Sequence, residues 1–448
     1  MLELYRSLVR DAPLAPALID AESGAITTRE ALLQRATVIA DELAAAGLSA
    51  RDAIAIQLPN SVNFVATFLA ALLRDLVVFP IDRDANDHEV ASILSHFEVR
   101  ALVSRSGISV RALSGETLAR TLPIDARLVK LTSGSTGMPK GIVATEANLL
   151  ADCTNICATM GITPTDLNLG AIPFSHSYGF SNLVTPLIVQ GTPIVVTNDY
   201  LPQTLVEHAN HHRCTVAPLI PMVFDHLTRA AHGEFETIRT FISAGAPLPP
   251  QTSRRFRERF GIDIHTFYGC SECGGITYDR RGGAVERGTV GDAMNGVTLS
   301  ANNGRLAIES ASVAAGQLID SATFVPFANA TFIADDLIEF RDDEVAITGR
   351  ASDLINTAGK KVNPREVEAV LLQIEGVRDA RVYGEAAGAR GEVVAAAIVA
   401  MPNVTREQVR EFCRARLSLH KVPRIVKLID ELPVDERGKV KRAALAAL

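Results

Sequence analysis

Apolar residues recur at helical spacing along REALLQRATVIADELAAAG, which predicts a helix over residues 29–46 that ends at Gly47. Short apolar runs then alternate with further helical patterns. Ala53–Leu58, Val77–Ile81 and Arg100–Ser104 read as strands, and Asn60–Leu73 and His88–His96 as helices, the first capped by Asn60 or Ser61. The alternation continues with strands at Ala126–Leu131, Leu167–Ile172, Pro193–Thr197, Thr215–Pro218, Thr240–Ser243 and Ile262–Thr266. Helices are predicted at Asn148–Met160 and at Gln251–Phe260, whose basic residues read as a solvated face. Such alternation predicts a mainly parallel sheet covered by helices, an α/β architecture.

The style changes near residue 270. Gly288–Gly291, Gly304–Ser310 and Phe332–Phe340 read as short antiparallel β segments. Gly349–Asp353 reads as a hinge or boundary. Beyond it come a helix at Asn363–Leu372 with Pro364 at its start, strands at Val377–Tyr383, Glu392–Ala400 and Arg424–Leu428, and a helix at Thr405–Leu417 capped by Thr405. This predicts a compact α+β unit of roughly a hundred residues, enough for a domain.

At 448 residues, 47% hydrophobic and 21% charged, the chain can bury a large core. A net charge of −7 gives no reason to expect nucleic acid or an anionic membrane as partner. The start, MLELYRSLVRDAP, lacks the long apolar core of a signal peptide, and no run of about 18 apolar residues occurs. Six cysteines in a chain of this length do not suggest a disulfide framework. The expectation is a cytoplasmic enzyme with no membrane span.

Candidate chemistry centres on Leu131–Gly141, LTSGSTGMPKG. Ser133, Ser135 and Thr136 supply hydroxyls, and Gly134, Gly137 and Gly141 let the backbone turn tightly and approach a ligand. Lys140 adds a mobile point charge. The spacing is not that of a Walker loop, because Pro139 precedes the lysine and Gly141 follows it. Alone, the stretch serves equally as a polyphosphate cradle or a surface linker.

Downstream, Pro173–Gly179 (PFSHSYG) places His176 and two aromatics just after a strand end, where open α/β sheets bind ligands. Cys270 and Cys273, Cys153 and Cys157, and the histidines His208, His211 and His212 lack the paired spacing of a zinc site. Gly269–Cys273 (GCSEC) is a near miss for a nucleophile elbow, and His420 is the sole downstream histidine for a hydrolase.

Taken together these stretches resemble the AMP-forming acyl- and aryl-CoA synthetases of the adenylate-forming ligase superfamily. LTSGSTGMPKG is similar to that family's phosphate loop. SAGAPL (243–248) and YGCSE (268–272) resemble its adenine-side segments, and ADDL (334–337) its ribose segment. GRASDLINTAGKKVNPREVE (349–368) resembles the hinge and first C-terminal helix, and ERGKVKR (436–442) the terminal lysine segment. The resemblance implies a large N-terminal domain of α/β subdomains with a distorted β-barrel, over residues 1–350. It also implies a small mobile α+β C-terminal domain over 353–448 that carries the catalytic lysine.

It further implies an ATP-dependent carboxylic acid–CoA ligase. The acid would attack the α-phosphorus of ATP to give acyl-AMP and pyrophosphate, and the thiol of coenzyme A would then displace AMP. By match to the motifs, Thr132, Ser133, Gly134, Ser135, Thr136, Gly137 and Lys140 would hold the phosphates. Ala244, Gly245, Ala246, Tyr268 and Gly269 would frame the adenine, and Asp336 and Arg350 the ribose. Ser271 would contact the α-phosphate, Glu272 and Thr136 would hold Mg2+, and Lys439 would bridge the acid and the α-phosphate. His176, Ser177, Tyr178 and Cys270 would line the acid pocket. Gly359, Lys360 and Lys361 would form part of the CoA tunnel, and Ser352 and Asp353 the hinge.

The segment PFSHSYG lacks the Asp that amino-acid-activating relatives place there, which implies a simple carboxylic acid as substrate. The alternatives are transfer to an acyl carrier protein on a separate chain, or a nucleotide-binding relative without catalysis. Three residues depart from the family's pattern: Asp335 stands where Gly is usual, Ser352 at the hinge position usually Asp or Lys, and Glu146 in place of a common His.

Overall fold

A computed structural model describes residues 1–111, 118, 121–132, 139–230, 232–357, 360–386, 392–417, 419–433 and 445. The chain divides into two compact units. The first comprises Met1–Ser300, Ala307–Phe332 and Phe340–Val345, and the second Ala301–Leu306, Ile333–Glu339 and Ala346–Leu448.

Two sheets organise the first unit. Among the described residues the smaller has eight strands, in the order Thr323–Pro326, Gly316–Asp320, Lys140–Thr145, Ala126–Thr132, Val77–Pro80, Ala53–Gln57, Ala101–Ser104 and Gly107–Val110. Its central pairs are parallel, as the alternating pattern predicts. The larger carries, in order, Ile26–Thr28, Pro16–Asp20, Ile194–Val196, Asn168–Gly170, Val216–Leu219, Thr240–Ser243, Ile264–Cys270, Gly274–Tyr278 and Asp292–Ala293. Pairing is parallel from Pro16–Asp20 through Ile264–Cys270 and antiparallel beyond.

The helix Val62–Leu73 is apolar except for Asn63 and Thr67, and it buries every residue from Phe64 to Ala71, as a helix with so little polar surface must. Ser61, not Asn60, caps it, its side chain accepting from the N–H of Phe64. Phe64 and Phe68 meet Phe174 and Phe180 edge to face, at 5.7 and 4.9 Å between ring centres. This aromatic layer packs the helix against the segment that leaves the larger sheet. On that sheet's other side, helices Pro202–His211, Pro221–Ala230 and Pro250–Phe260 cover Leu169, Leu219 and Phe241.

Two sequence expectations change here. The strand predicted to end at Thr266 runs on to Cys270, so Tyr268-Gly269-Cys270 lies within an antiparallel hairpin with Gly274–Tyr278. A second strand, Lys140–Thr145, which the pattern did not predict, pairs antiparallel with Ala126–Thr132.

The second unit has its own core. Val377–Ala386 pairs antiparallel with Glu392–Ala400, which pairs parallel with Ile425–Ile429. Helices Pro364–Leu371 and Arg406–Arg414 bury Val367, Leu371 and Val409 against Val382, Val394 and Ile398. Thr405 caps the second helix in a reciprocal box with Gln408.

Candidate functional site

The larger sheet changes direction at Asn168–Gly170. The chain goes from that strand to Ile194–Val196 on one side, then crosses to Val216–Leu219 on the other. The crevice outside the carboxyl ends of strands at such a reversal is where open α/β sheets bind ligands. Pro173–Gly179 fills this place. Gly179 closes the turn: a Cβ there would lie 2.0 Å from the carbonyl oxygen of Pro173.

Side chains from both sheets fix this segment. Asn60, just beyond Ala53–Gln57, donates through Nδ2 to the carbonyls of Gly170 (3.1 Å) and Ile172 (2.9 Å), and its Oδ1 accepts from the N–H of Phe174 (2.8 Å). Asp82, just beyond Val77–Pro80, lies 3.0 Å from Nε2 of His176. The Tyr178 hydroxyl donates to the carbonyl of Ile242 at 2.9 Å, and burial pushes its pKa well up. Its ring stands 5.8 Å from that of Phe267. Tyr178 is thus a neutral wall.

The hairpin turn of the adjoining strand meets this segment. Ser177 Oγ and Ser271 Oγ are 2.8 Å apart. The carbonyl of Glu272 accepts from the N–H of Ala314 (2.8 Å) and that of Cys273 from the hydroxyl of Ser312 (2.8 Å). The neighbouring Cys273 thiol and burial hold the Cys270 thiol well above its ordinary pKa, so it stays protonated. Ala244 is buried at the end of Thr240–Ser243, its N–H on the carbonyl of Leu219, while Gly245 and Ala246 are exposed.

Thr132 and Lys140, which flank the candidate phosphate stretch, are cross-strand partners. Ser133, Gly134, Ser135, Thr136 and Gly137 lie outside the described residues, as do Gly359 and Lys439. Lys360 and Lys361 fall in a short strand, Lys360–Val362. In the second unit, Arg350 Nε donates to Asp336 Oδ1 at 3.2 Å. Ser352, within the turn Ala351–Asp353, donates through its backbone N–H and its hydroxyl to the Asp335 carboxylate. Glu146, the third departure, pairs with Arg127 at 3.6 Å.

Sequence reasoning missed Asn60, Asp82 and Asp152. Asn60 and Asp82 each follow a strand's carboxyl end, which was the available signal. Asp152 interrupts an apolar helix face beside Leu149 and Ile156 and is itself buried. Among the described residues no cluster of three or more His, Cys, Asp or Glu side chains can hold a metal ion, and no helix is long and apolar enough to cross a membrane.

Residues 6–303 match the family model for AMP-binding enzymes, and 366–439 that for the AMP-binding enzyme C-terminal domain. A sulfoacetate–CoA ligase of Cupriavidus necator is 28% identical over 97% of this chain and 94% of its own length. A feruloyl-CoA synthase of an Amycolatopsis species is 26% identical over 96% of both chains. The solved structure of ATP-bound MatB from Rhodopseudomonas palustris superposes with a TM-score of 0.81 at 23% identity, covering 100% of this chain and 98% of that one, and so shares the fold. With matching models over both of its parts, the chain belongs to the AMP-binding enzyme family, among the AMP-forming CoA ligases.

Proposed function

We propose that this protein activates a carboxylic acid with ATP, as acyl-AMP, and passes the acyl group to the thiol of coenzyme A. The observation that carries this reading is the 2.8 Å contact between Ser177 and Ser271. It joins the strand-end segment assigned to the acid and the hairpin turn assigned to the α-phosphate, the two reactants of adenylation.

The difficulty of the first half-reaction is electrostatic, since an anion must approach a polyanion. On this reading the stretch Thr132–Lys140 holds the β- and γ-phosphates, with the Lys140 ammonium offsetting their charge. Asp336, partnered by Arg350, takes the ribose hydroxyls. Tyr268 stacks on the adenine. Lys439, in the C-terminal domain proposed over 353–448, bridges the acid carboxylate and the α-phosphate. The acid oxygen bonds to the α-phosphorus as the bond to the β-phosphate oxygen breaks, and pyrophosphate leaves. In the second half-reaction the CoA sulfur bonds to the acyl carbon, AMP leaves and the thiol proton is released.

Mg2+ fits the Glu272 carboxylate, a hard oxygen donor set on a turn whose backbone is fixed at Ala314. A site with few protein ligands suits an ion that keeps waters and substrate phosphates in its shell. When bound it would supply charge neutralisation of the phosphates. His176, Ser177, Tyr178 and Cys270 surround the acid. None is anionic, which favours simple acids over amino acids.

The test is ATP–pyrophosphate exchange across aromatic and aliphatic acids. Exchange that depends on one class of acid supports the reading, and absence of exchange with every acid overturns it. Supplying CoA or a phosphopantetheinylated carrier protein to the active pair then separates the two acceptors.

A further inference from the structure

We propose that Asp152 is a positioning residue that sets the Ser271–Glu272 turn against the acid-side segment. The role rests on the nucleotide-binding reading of that turn. Asp152 sits in the helix Glu146–Met160 and is 4% exposed. Its carboxylate oxygens accept from two donors in different parts of the site. Oδ1 accepts from the N–H of Gly275 at 2.9 Å, and Oδ2 from the hydroxyl of Ser181 at 2.7 Å.

Both donors lead directly to the predicted site. Gly275 lies in the strand Gly274–Tyr278, just after the turn that holds Ser271 and Glu272. Ser181 lies one helical turn beyond Ser177, in the continuous helical segment Ser177–Gln190. Ser177 touches Ser271, so the contacts close a ring: Asp152 to Gly275, along the turn to Ser271, across to Ser177, along the helix to Ser181 and back to Asp152. The fit beneath the turn is tight. Gly274 has φ +72°, and a Cβ there would stand 2.1 Å from the Asp152 carboxylate.

Removing the carboxylate leaves a buried N–H and a buried hydroxyl without their acceptor, and the turn must move to regain one. Asparagine keeps the arrangement: its oxygen accepts from Gly275 and its amide donates to the Ser181 oxygen, which can serve either role.

The experiment is calorimetric titration of MgATP into the full-length protein, with thermal unfolding of each variant. Asp152→Ala should weaken MgATP binding at least about tenfold while unfolding cooperatively. Asp152→Asn and Ser181→Ala should stay within about threefold of the parent, since each keeps the Gly275 arm. Should Asp152→Ala fail to fold, Asp152→Ser, too short to reach both donors, takes its place under the same readings. Parent-like MgATP affinity in the Ala or Ser variant overturns the role, and so does a loss in Asp152→Asn equal to that in Asp152→Ala. A parent protein that does not bind MgATP at all overturns the nucleotide reading, and this role with it.

Discussion

The Asp335 carboxylate accepts hydrogen bonds from both the backbone N–H and the hydroxyl of Ser352. These are two of the three positions at which the sequence departs from the pattern of its family, and they are each other's partners. The Ala351–Asp353 turn thereby gains an acceptor for an N–H at its start, where helical turns leave donors unsatisfied. Asp335→Ala should destabilise the second unit by about 1 kcal/mol, at the modest end because the carboxylate is partly exposed. Asp335→Asn should recover most of this. Hydrogen exchange across residues 349–357 checks it: unchanged exchange in Asp335→Ala would sink the idea.

Glu344 ties stability to pH. The Arg287 guanidinium holds it most strongly, with Thr289 and Arg281 assisting, and these lower its pKa from 4.5 to about 2 against the effect of burial. A carboxylate with a depressed folded pKa stabilises the fold above its unfolded pKa, and that contribution is lost as pH falls through the folded one. The expected loss is about 3 kcal/mol between roughly pH 4.5 and 2. Glu344→Gln should remove this part of the pH dependence, in denaturation curves collected across that window. An unchanged acid limb would exclude the assignment.

Gly179→Ala should damage the acid side of the site. The added Cβ meets the Pro173 carbonyl, so the turn bearing His176 must open. A destabilisation of about 1–3 kcal/mol is expected from such overpacking. The Michaelis constant for the acid in pyrophosphate exchange should rise more than that for ATP. Equal changes in both constants would argue against an acid-side location.

Asp82 orients His176 from the neighbouring sheet. Asp82→Ala should raise the Michaelis constant for the acid by about tenfold, the scale of one charge-assisted hydrogen bond, and leave that for ATP within about twofold. Pyrophosphate exchange at varied acid and varied ATP separates the two constants, and a shift confined to ATP would be the contrary result.

Lys439→Ala should abolish acyl-AMP formation while sparing thioester formation from supplied acyl-AMP. Single-turnover assays of each half-reaction decide it, and equal loss in both would remove Lys439 from its assigned place.

The elements with strong apolar periodicity were legible in the sequence: the helix at Arg29–Ala45, the strand at Ala53–Gln57 and the two sheets' parallel pairs all follow from it. Lys140–Thr145 was not, because a six-residue strand opening on Lys-Gly carries little pattern of its own and is defined by its partner. The hairpin extension to Cys270 was hidden in the same way, since Tyr268-Gly269-Cys270 reads as a turn until Gly274–Tyr278 pairs with it. Motif residues such as Ser271 were proposed through resemblance. Asp82 and Asp152 were not, because their meaning lies in contacts with His176 and Gly275, on strands and turns about a hundred residues away. Local pattern reports burial and period, whereas a hydrogen bond of that span exists only after the sheets have assembled.

Asn60 carries one more consequence, for the chemical lifetime of the protein. It precedes Ser61, and in a mobile chain an Asn-Ser step deamidates when the next backbone nitrogen attacks the side-chain carbonyl. Here the amide is buried, its oxygen engaged by Phe174 and its nitrogen by Gly170 and Ile172, while the following helix fixes the backbone on the other side. Conversion to aspartate would set a carboxylate against two carbonyl oxygens beneath the His176 turn. The contacts that seat that turn therefore also shield it from ageing, and partial unfolding near Asn60 would expose the protein to a slow, irreversible loss.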